Sequence, residues 1–367
     1  DELRALGITD AHTDENGYVY GHIPAAKGCT SACLALIAHM DTAMDMSGDN
    51  IKPRIIRNYD GNDIVLNEEK HIVTAVSVFP NLKAFVGQDL IVTDGTTLLG
   101  ADDKAGVAEI MTLAEFLMQN PDYPHPPVSI LFTPDEEIGR GPDHVNLEEV
   151  GAAYGYTIDG GLIGEFSYEN FNAASAVVTI HGVTAHTGYA KGILKNAIQI
   201  AMEYQALLPA YETPACTENR EGFYHLDKLQ GRTETAIMNY LIRDHDEALF
   251  RHRQQIMQEA VDFINKKYGA GTAEITITET YRNMYEQVRG HEKLISNVMT
   301  AMEHCGITPI VTPIRGGTDG ARLSYQGLPC PNICTGGQNG HGRHEFVSIQ
   351  SMEAITEMLK ELVKLFA

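Results

Sequence analysis

Cys33-Leu34-Ala35-Leu36-Ile37-Ala38 is apolar at every position and is followed at once by His39-Met40-Asp41-Thr42. A strand with one wet face alternates, so an unbroken run of this kind predicts a strand covered on both sides, as in a parallel sheet layered by helices. The run has two companions. Val128-Ser129-Ile130-Leu131-Phe132 leads into Thr133-Pro134-Asp135-Glu136-Glu137, and the stretch Tyr154 to Ile158 delivers Asp159 into Gly160-Gly161. Upstream of these two, Gly100-Ala101-Asp102-Asp103-Lys104-Ala105-Gly106 opens a segment in which Val107, Ile110, Met111, Ala114 and Leu117 recur at helical spacing. Prolines between Pro121 and Pro127 end that helix. The alternation predicts an α/β fold, a mostly parallel sheet flanked by helices.

From about Asn170 the pattern changes. Ala176 to Ile180 reads as a strand, Asn196 to Leu208 as a helix, Leu226 to Gln230 and Thr235 to Leu241 as a hairpin around Gly231, His245 to Tyr268 as a helix, and Glu274 to Thr278 as an alternating strand. That order predicts an inserted ferredoxin-like α+β domain over 170–286, within a discontinuous larger domain of 1–169 and 287–367. The larger domain resumes with a helix, His291 to Cys305, then a strand, Pro331 to Cys334, a polar loop, and a closing helix, Ile349 to Phe366.

Composition narrows the function. The 367 residues include 27 Lys+Arg against 49 Asp+Glu, a net charge of -22, which argues against phosphate backbones or anionic lipid as partners. No apolar run approaches the roughly 20 residues that cross a bilayer. The six cysteines show neither disulfide-framework nor thiolate-metal spacing, so reduced thiols in a cytoplasm are expected. The chain opens at Asp1 without an initiator Met or a basic-then-apolar leader, and we read it as a fragment at its N-terminus with no visible secretory signal.

Chemistry is expected where ionisable residues come after strands. His39, Glu136, Glu137, Asp159 and His341 each stand directly after an apolar run or within a short loop of one, and strand carboxyl ends converge on the crevice of an open α/β sheet. Singly, each has a bland reading: a lone buried His, a helix cap at Asp102 or Asp103, an exposed turn at Glu136-Glu137. Jointly, two imidazoles and three carboxylates suit a pair of borderline dications such as zinc, each taking one His and one terminal carboxylate and sharing a bridging carboxylate. Two dications carry four positive charges, which three carboxylates and one bridging hydroxide cancel. One of Glu136 and Glu137 would then ligate while the other moves protons, and Asp41 is placed to accept a hydrogen bond from His39.

These motifs, with Leu98-Leu99 before Gly100 and His341-Gly342-Arg343-His344-Glu345-Phe346, resemble the five metal-site motifs of the M20 metallopeptidases. The likeness extends through Glu169-Asn170-Phe171-Asn172-Ala173-Ala174-Ser175, Glu221-Gly222-Phe223-Tyr224-His225-Leu226 and Pro313-Ile314-Arg315-Gly316-Gly317-Thr318-Asp319-Gly320. The resemblance implies two Zn2+ per subunit, bridged by Asp102, with His39 and Asp159 completing one site and Glu137 and His341 the other. It implies Glu136 as general base for a zinc-bridging hydroxide and Asp41 as the partner of His39. Residue chemistry alone leaves Asp102 or Asp103, Glu136 or Glu137, and His341 or His344 open.

The same resemblance implies release of the N-terminal residue from short peptides, tripeptides first, in the cytoplasm, with homodimerisation through the inserted lid domain. The competing readings are another M20 specificity, such as a dipeptidase, carboxypeptidase or aminoacylase, and a non-catalytic peptide-binding relative. For substrate binding it implies His186 at the oxyanion. Arg315 is either a turn residue or a fork for a carboxylate. Asn170 and Asn172 are either turn formers or donors to peptide backbone. The tripeptide-cleaving members carry a further N-terminal helical segment that this chain lacks, a departure that removes no metal-site motif.

Overall fold

A computed structural model describes residues 1–367. The chain divides into two compact units, the first formed by Asp1–Tyr168, Met284–Thr312 and Thr318–Ala367, the second by Glu169–Asn283 with Pro313–Gly317.

Eight strands make the main sheet of the first unit: β1 (His12–Thr13), β2 (Val19–Ile23), β3 (Leu34–His39), β4 (Val128–Thr133), β5 (Tyr154–Ile158), β6 (Glu165–Ser167), β7 (Ile310–Val311) and β8 (Asn332–Ile333). They lie in the order β1-β2-β4-β3-β5-β8-β6-β7. The central four, β4-β3-β5-β8, are parallel. β2 and β6 run antiparallel to β4 and β8. All six residues of β3 and all six of β4 are buried, polar His39, Ser129 and Thr133 among them. Each fully buried Leu or Ile contributes about 1.5–3 kcal/mol of transfer free energy. His39 pairs with Thr133, so β3 and β4 end level, and the loops that leave them emerge at one edge of the sheet.

Four helices of this unit matter most: α1 (Ala101–Gln119), α2 (Glu292–His304), α3 (Asp319–Gln326) and α4 (Ile349–Leu365). α1 buries Ile110, Leu113, Ala114 and Leu117. Gly106 lets it approach the sheet closely, since a Cβ there would lie 2.0 Å from the Ile158 carbonyl oxygen. The Asn120 side chain, donating to the Phe116 carbonyl, closes the last turn before Pro121. α4 starts at Ser348, whose side chain accepts from the Ser351 N–H, and buries Ile355, Leu359 and Leu362.

A second, antiparallel sheet was not anticipated from the sequence. Its strands Gly337–Gln338, Phe346–Ser348, Leu90–Val92 and Arg54–Ile56 lie in that order. Phe346 meets Phe85 edge-on, with ring centroids 5.1 Å apart. Because Gln338 pairs with Phe346, the polar segment between them is a hairpin loop, and His341 rides on it.

In the second unit, strands Asn172–His181, Phe223–Gly231, Thr235–Asp244 and Ala273–Tyr281 alternate with helices Ala197–Leu207 and Glu247–Tyr268. The first and third strands are central, the second and fourth are at the edges, and every pairing is antiparallel. This is the ferredoxin-like βαββαβ arrangement. Val178, Ile180, Met238 and Ile242 pack with Ile200, Phe250 and Ile264 into a core of its own. Pro313–Gly317 joins this unit because Ile314 bridges to Asn170 and its carbonyl receives His245 Nε2 at 3.1 Å. No helix is long and apolar enough to cross a membrane.

Candidate metal centre

Asp102 occupies the middle of the site. One of its carboxylate oxygens lies 3.0 Å from His39 Nε2 and the other 3.3 Å from His341 Nε2. His341 Nε2 is also 3.2 Å from Glu137 Oε2. Donor atoms of His39, Asp102 and Asp159 lie within 4.8 Å of one another, and so do those of Asp102, Glu137 and His341. Asp102 is common to both groups.

Each side chain arrives by a separate route. His39 is the last residue of β3, and Asp159 comes directly after β5. After β4, Asp135 adopts φ +62°, a left-handed turn that Asp tolerates, and Glu136 and Glu137 come next in a short 3-10 turn. Asp102 stands in the opening turn of α1, where its peptide bond to Asp103 is cis. His341 has φ +63° in the hairpin loop.

The carboxylates crowd one another. Burial first, and then the Asp102 charge, pushes Glu137 up to about 7 and Asp159 up to about 6. Burial and Asp159 push Glu136 up to about 9. Burial would raise Asp102, but its hydrogen bonds with His341 and His39 outweigh that and hold it well below the usual carboxylate range. The Asp102 hydrogen bond raises His341 to about 9. Burial opposes charge on His39, yet its contacts with Asp102 and Asp41 raise it. Such a cluster of acids drawn onto two imidazoles is the charge balance that dications relieve. The donor set fits them in type and spacing, because two ligands at about 2.1 Å from a tetrahedral zinc ion are about 3.4 Å apart. Glu137 also keeps one buried oxygen, Oε1, without a hydrogen-bond partner.

The doubled residues separate cleanly. Asp103 turns away from the cluster, and its Oδ2 accepts the His39 backbone N–H at 3.1 Å. His344 hydrogen-bonds Thr74 Oγ1 at 2.9 Å and packs on Phe79. Glu136 lies within the fields of Asp159 and Asp319. Asp41 Oδ1 is 3.3 Å from His39 Nδ1, and its two oxygens accept the backbone N–H groups of Glu136 and Glu137, each at 3.1 Å.

A model of peptidase family M20/M25/M40 matches residues 94–365. The chain belongs to this family. Peptidase T of Alkaliphilus oremlandii is 49% identical over 369 residues, spanning 100% of this chain and 90% of that protein. The M20 chain also superposes on the aminopeptidase PepT from Bacillus cereus ATCC 10987, with a TM-score of 0.81 at 23% identity over 100% of this chain and 90% of that one. A dinuclear metal binding peptidase of the M20 family from Bacillus subtilis gives a TM-score of 0.64 at 14% identity, covering 99% of this chain and 90% of that one. The cluster around Asp102 is the metal-binding site of an M20 peptidase.

The remaining sequence candidates of this M20 chain lie in its second unit. His186 is exposed, and its Nδ1 accepts the Gly188 N–H at 3.2 Å. Arg315 lies over the rings of Phe171 and Phe223 and donates to the Asn219 and Glu221 carbonyls and to Thr217 Oγ1. Asn170 donates to the Phe171 and Arg282 carbonyls, and Asn172 to those of Asp244 and His245. Both asparagines are buried.

Two acids had no role in the sequence reading. Asp319, the first residue of α3, accepts from Thr133 Oγ1 at 2.8 Å, and burial pushes it up to about 7. Glu345 accepts backbone N–H groups from the turn that carries Asp102. Both stand inside strings that resemble the family's, which was the available signal.

Proposed function

We propose that this M20 peptidase is a dinuclear zinc aminopeptidase that releases the N-terminal residue from tripeptides in the cytoplasm. The observation that carries the reading is Asp102, whose two oxygens face two different histidines. The relative at 49% identity, a peptidase T matched over the whole of this chain, supports the substrate class. Asp102 would bridge the ions, His39 and Asp159 would hold one, and Glu137 and His341 the other. Bound zinc supplies Lewis acidity, lowering the pKa of water and stabilising negative charge on the attacked carbonyl oxygen.

The chain's own residues do the rest. Glu136, which stands beside Asp159 and Asp319 at the site, takes the proton of the attacking water and passes it to the leaving amine. Asp41 fixes the tautomer of His39 and, through the N–H groups of Glu136 and Glu137, aims both glutamates. His186 is our candidate donor to the carbonyl oxygen. Arg315 is the candidate for the peptide carboxylate, a role in which its guanidinium exchanges the carbonyls of the 217–221 loop for the substrate. The second unit is the proposed lid and dimer contact.

The test is a matched set of substrates given to the zinc-loaded protein: a free tripeptide, its N-acetylated form, and the related dipeptide and tetrapeptide. Cleavage of the free tripeptide alone is expected. Hydrolysis of the acetylated peptide or the dipeptide instead would reassign the specificity.

A further inference from the structure

We infer that Glu345 is a positioning residue that fixes the bridging carboxylate of Asp102 relative to His341 and thereby sets zinc affinity. The inference rests on the dinuclear zinc function proposed for the site. Glu345 lies four residues after His341 on the same hairpin loop and is 2% exposed. Its Oε2 accepts the backbone N–H groups of Leu99 at 2.8 Å and Gly100 at 2.7 Å, and its Oε1 accepts that of Asp102 at 2.9 Å. Three amide donors therefore converge on one buried carboxylate.

The donors belong to the turn that opens α1, where backbone N–H groups have no partner within the helix. Such groups are ordinarily capped by the residue that precedes the helix. Here that residue is Gly100, which has no side chain to cap with. The cap comes instead from a loop more than 240 residues away in the chain, the loop that carries a metal-ligand candidate. Glu345 thus ties together the two segments that bring Asp102 and His341 within 3.3 Å of each other.

The same device recurs at other candidate ligands. Asp103, next to Asp102, receives the N–H of His39. Asp41, two residues after His39, receives those of Glu136 and Glu137. Each of these motifs lends a carboxylate to the backbone of another, and Glu345 is the one that reaches Asp102, the residue common to both donor groups. A neutral amide cannot replace it fully. Glutamine would turn an NH2 toward at least one of the three N–H groups, and aspartate is one methylene too short to reach both sides of the turn.

The experiment measures zinc binding by competition with a chromophoric chelator, in the unaltered protein and in Glu345→Gln, with kcat measured as free zinc is varied. We expect Glu345→Gln to keep its far-UV circular dichroism, to bind at least one zinc about 10–100-fold more weakly, and to regain turnover as zinc is raised. A variant that melts earlier but binds zinc as tightly as the parent would overturn the inference and leave Glu345 a purely structural cap. A second measurement needs no mutant. In the unaltered protein the amides of Leu99, Gly100 and Asp102 should exchange slowly with or without zinc, and fast exchange in the zinc-free protein would also overturn it. Failure of the unaltered protein to bind two zinc ions would instead sink the dinuclear assignment itself.

Discussion

Asp102 and Asp103 are chemically identical neighbours, yet one faces two imidazoles and the other receives the amide of His39. Position relative to the turn, rather than residue type, divides their roles, and the same holds for Glu136 and Glu137. This division can be tested at single residues. Replacing Glu136 with Gln removes a proton carrier and no ligand, so both zinc ions should remain while kcat falls by about 10²–10⁴-fold. Elemental analysis beside kinetics checks it, and surviving turnover would place the base elsewhere. Replacing Asp102 with Ala removes the group shared by both donor sets, so zinc content should fall at both positions; a fully loaded mutant would refute bridging. The sequence marked Glu136 and Glu137 through their place after a strand, and Asp102 and Asp103 through theirs at the opening of a helix. It left the choice within each pair open, because that choice depends on backbone turns such as Asp135 at φ +62°. Glu345 escaped notice for a related reason: its partners are backbone N–H groups, which have no signature in sequence.

At the scale of elements, β3, β4 and β5 were legible because strands buried on both faces are predominantly apolar and do not alternate. The inserted βαββαβ order was legible from alternation and helical spacing. The small sheet that carries His341 was not, since its strands are two or three residues long, too short to display a period, and Arg54 and Ile55 are exposed. α1 holds a further element-scale feature. Glu109 is 1% exposed, faces the α1 and α4 side of the sheet beside Met352 and Thr356, and neither of its carboxylate oxygens has a hydrogen-bond partner. Burial pushes its carboxyl well above the ordinary 4.5. The folded state therefore holds a proton that the unfolded chain releases above about pH 4.5, so stability falls as pH rises through that window, by about 1.4 kcal/mol per pH unit. Below it the group adds no pH dependence. Glu109→Gln should remove this slope, so its melting temperature should gain on the parent as pH rises above about 5, until the folded-state carboxyl itself ionises, whatever fixed cost the buried amide carries. Parallel melting curves across that range would show that Glu109 is ionised in the folded protein.

For the whole molecule, the division of labour between the units makes a thermodynamic statement. Every candidate metal ligand, and every carboxylate that holds a ligand's backbone, lies in the first unit, whereas the second closes its own core around Val178, Met238, Ile242 and Phe250. A ligand that binds only the folded state stabilises it by mass action, about 2.7 kcal/mol when its free concentration is one hundred times its Kd. Zinc should deliver that stabilisation where its donors are. Chelation is therefore expected to abolish activity and to raise hydrogen exchange in the segments around His39, Glu137 and His341, while the Glu345-held amides of Leu99, Gly100 and Asp102 stay protected, and added zinc should reverse both effects. The strand amides of Val178, Met238 and Ile242 should keep their protection throughout, because no donor in their unit loses a charge partner. If chelation exposed those amides as much as the metal-site loops, the core of the second unit would depend on the metal for its stability. The packing that makes it look self-sufficient would then be worth less than its buried area implies.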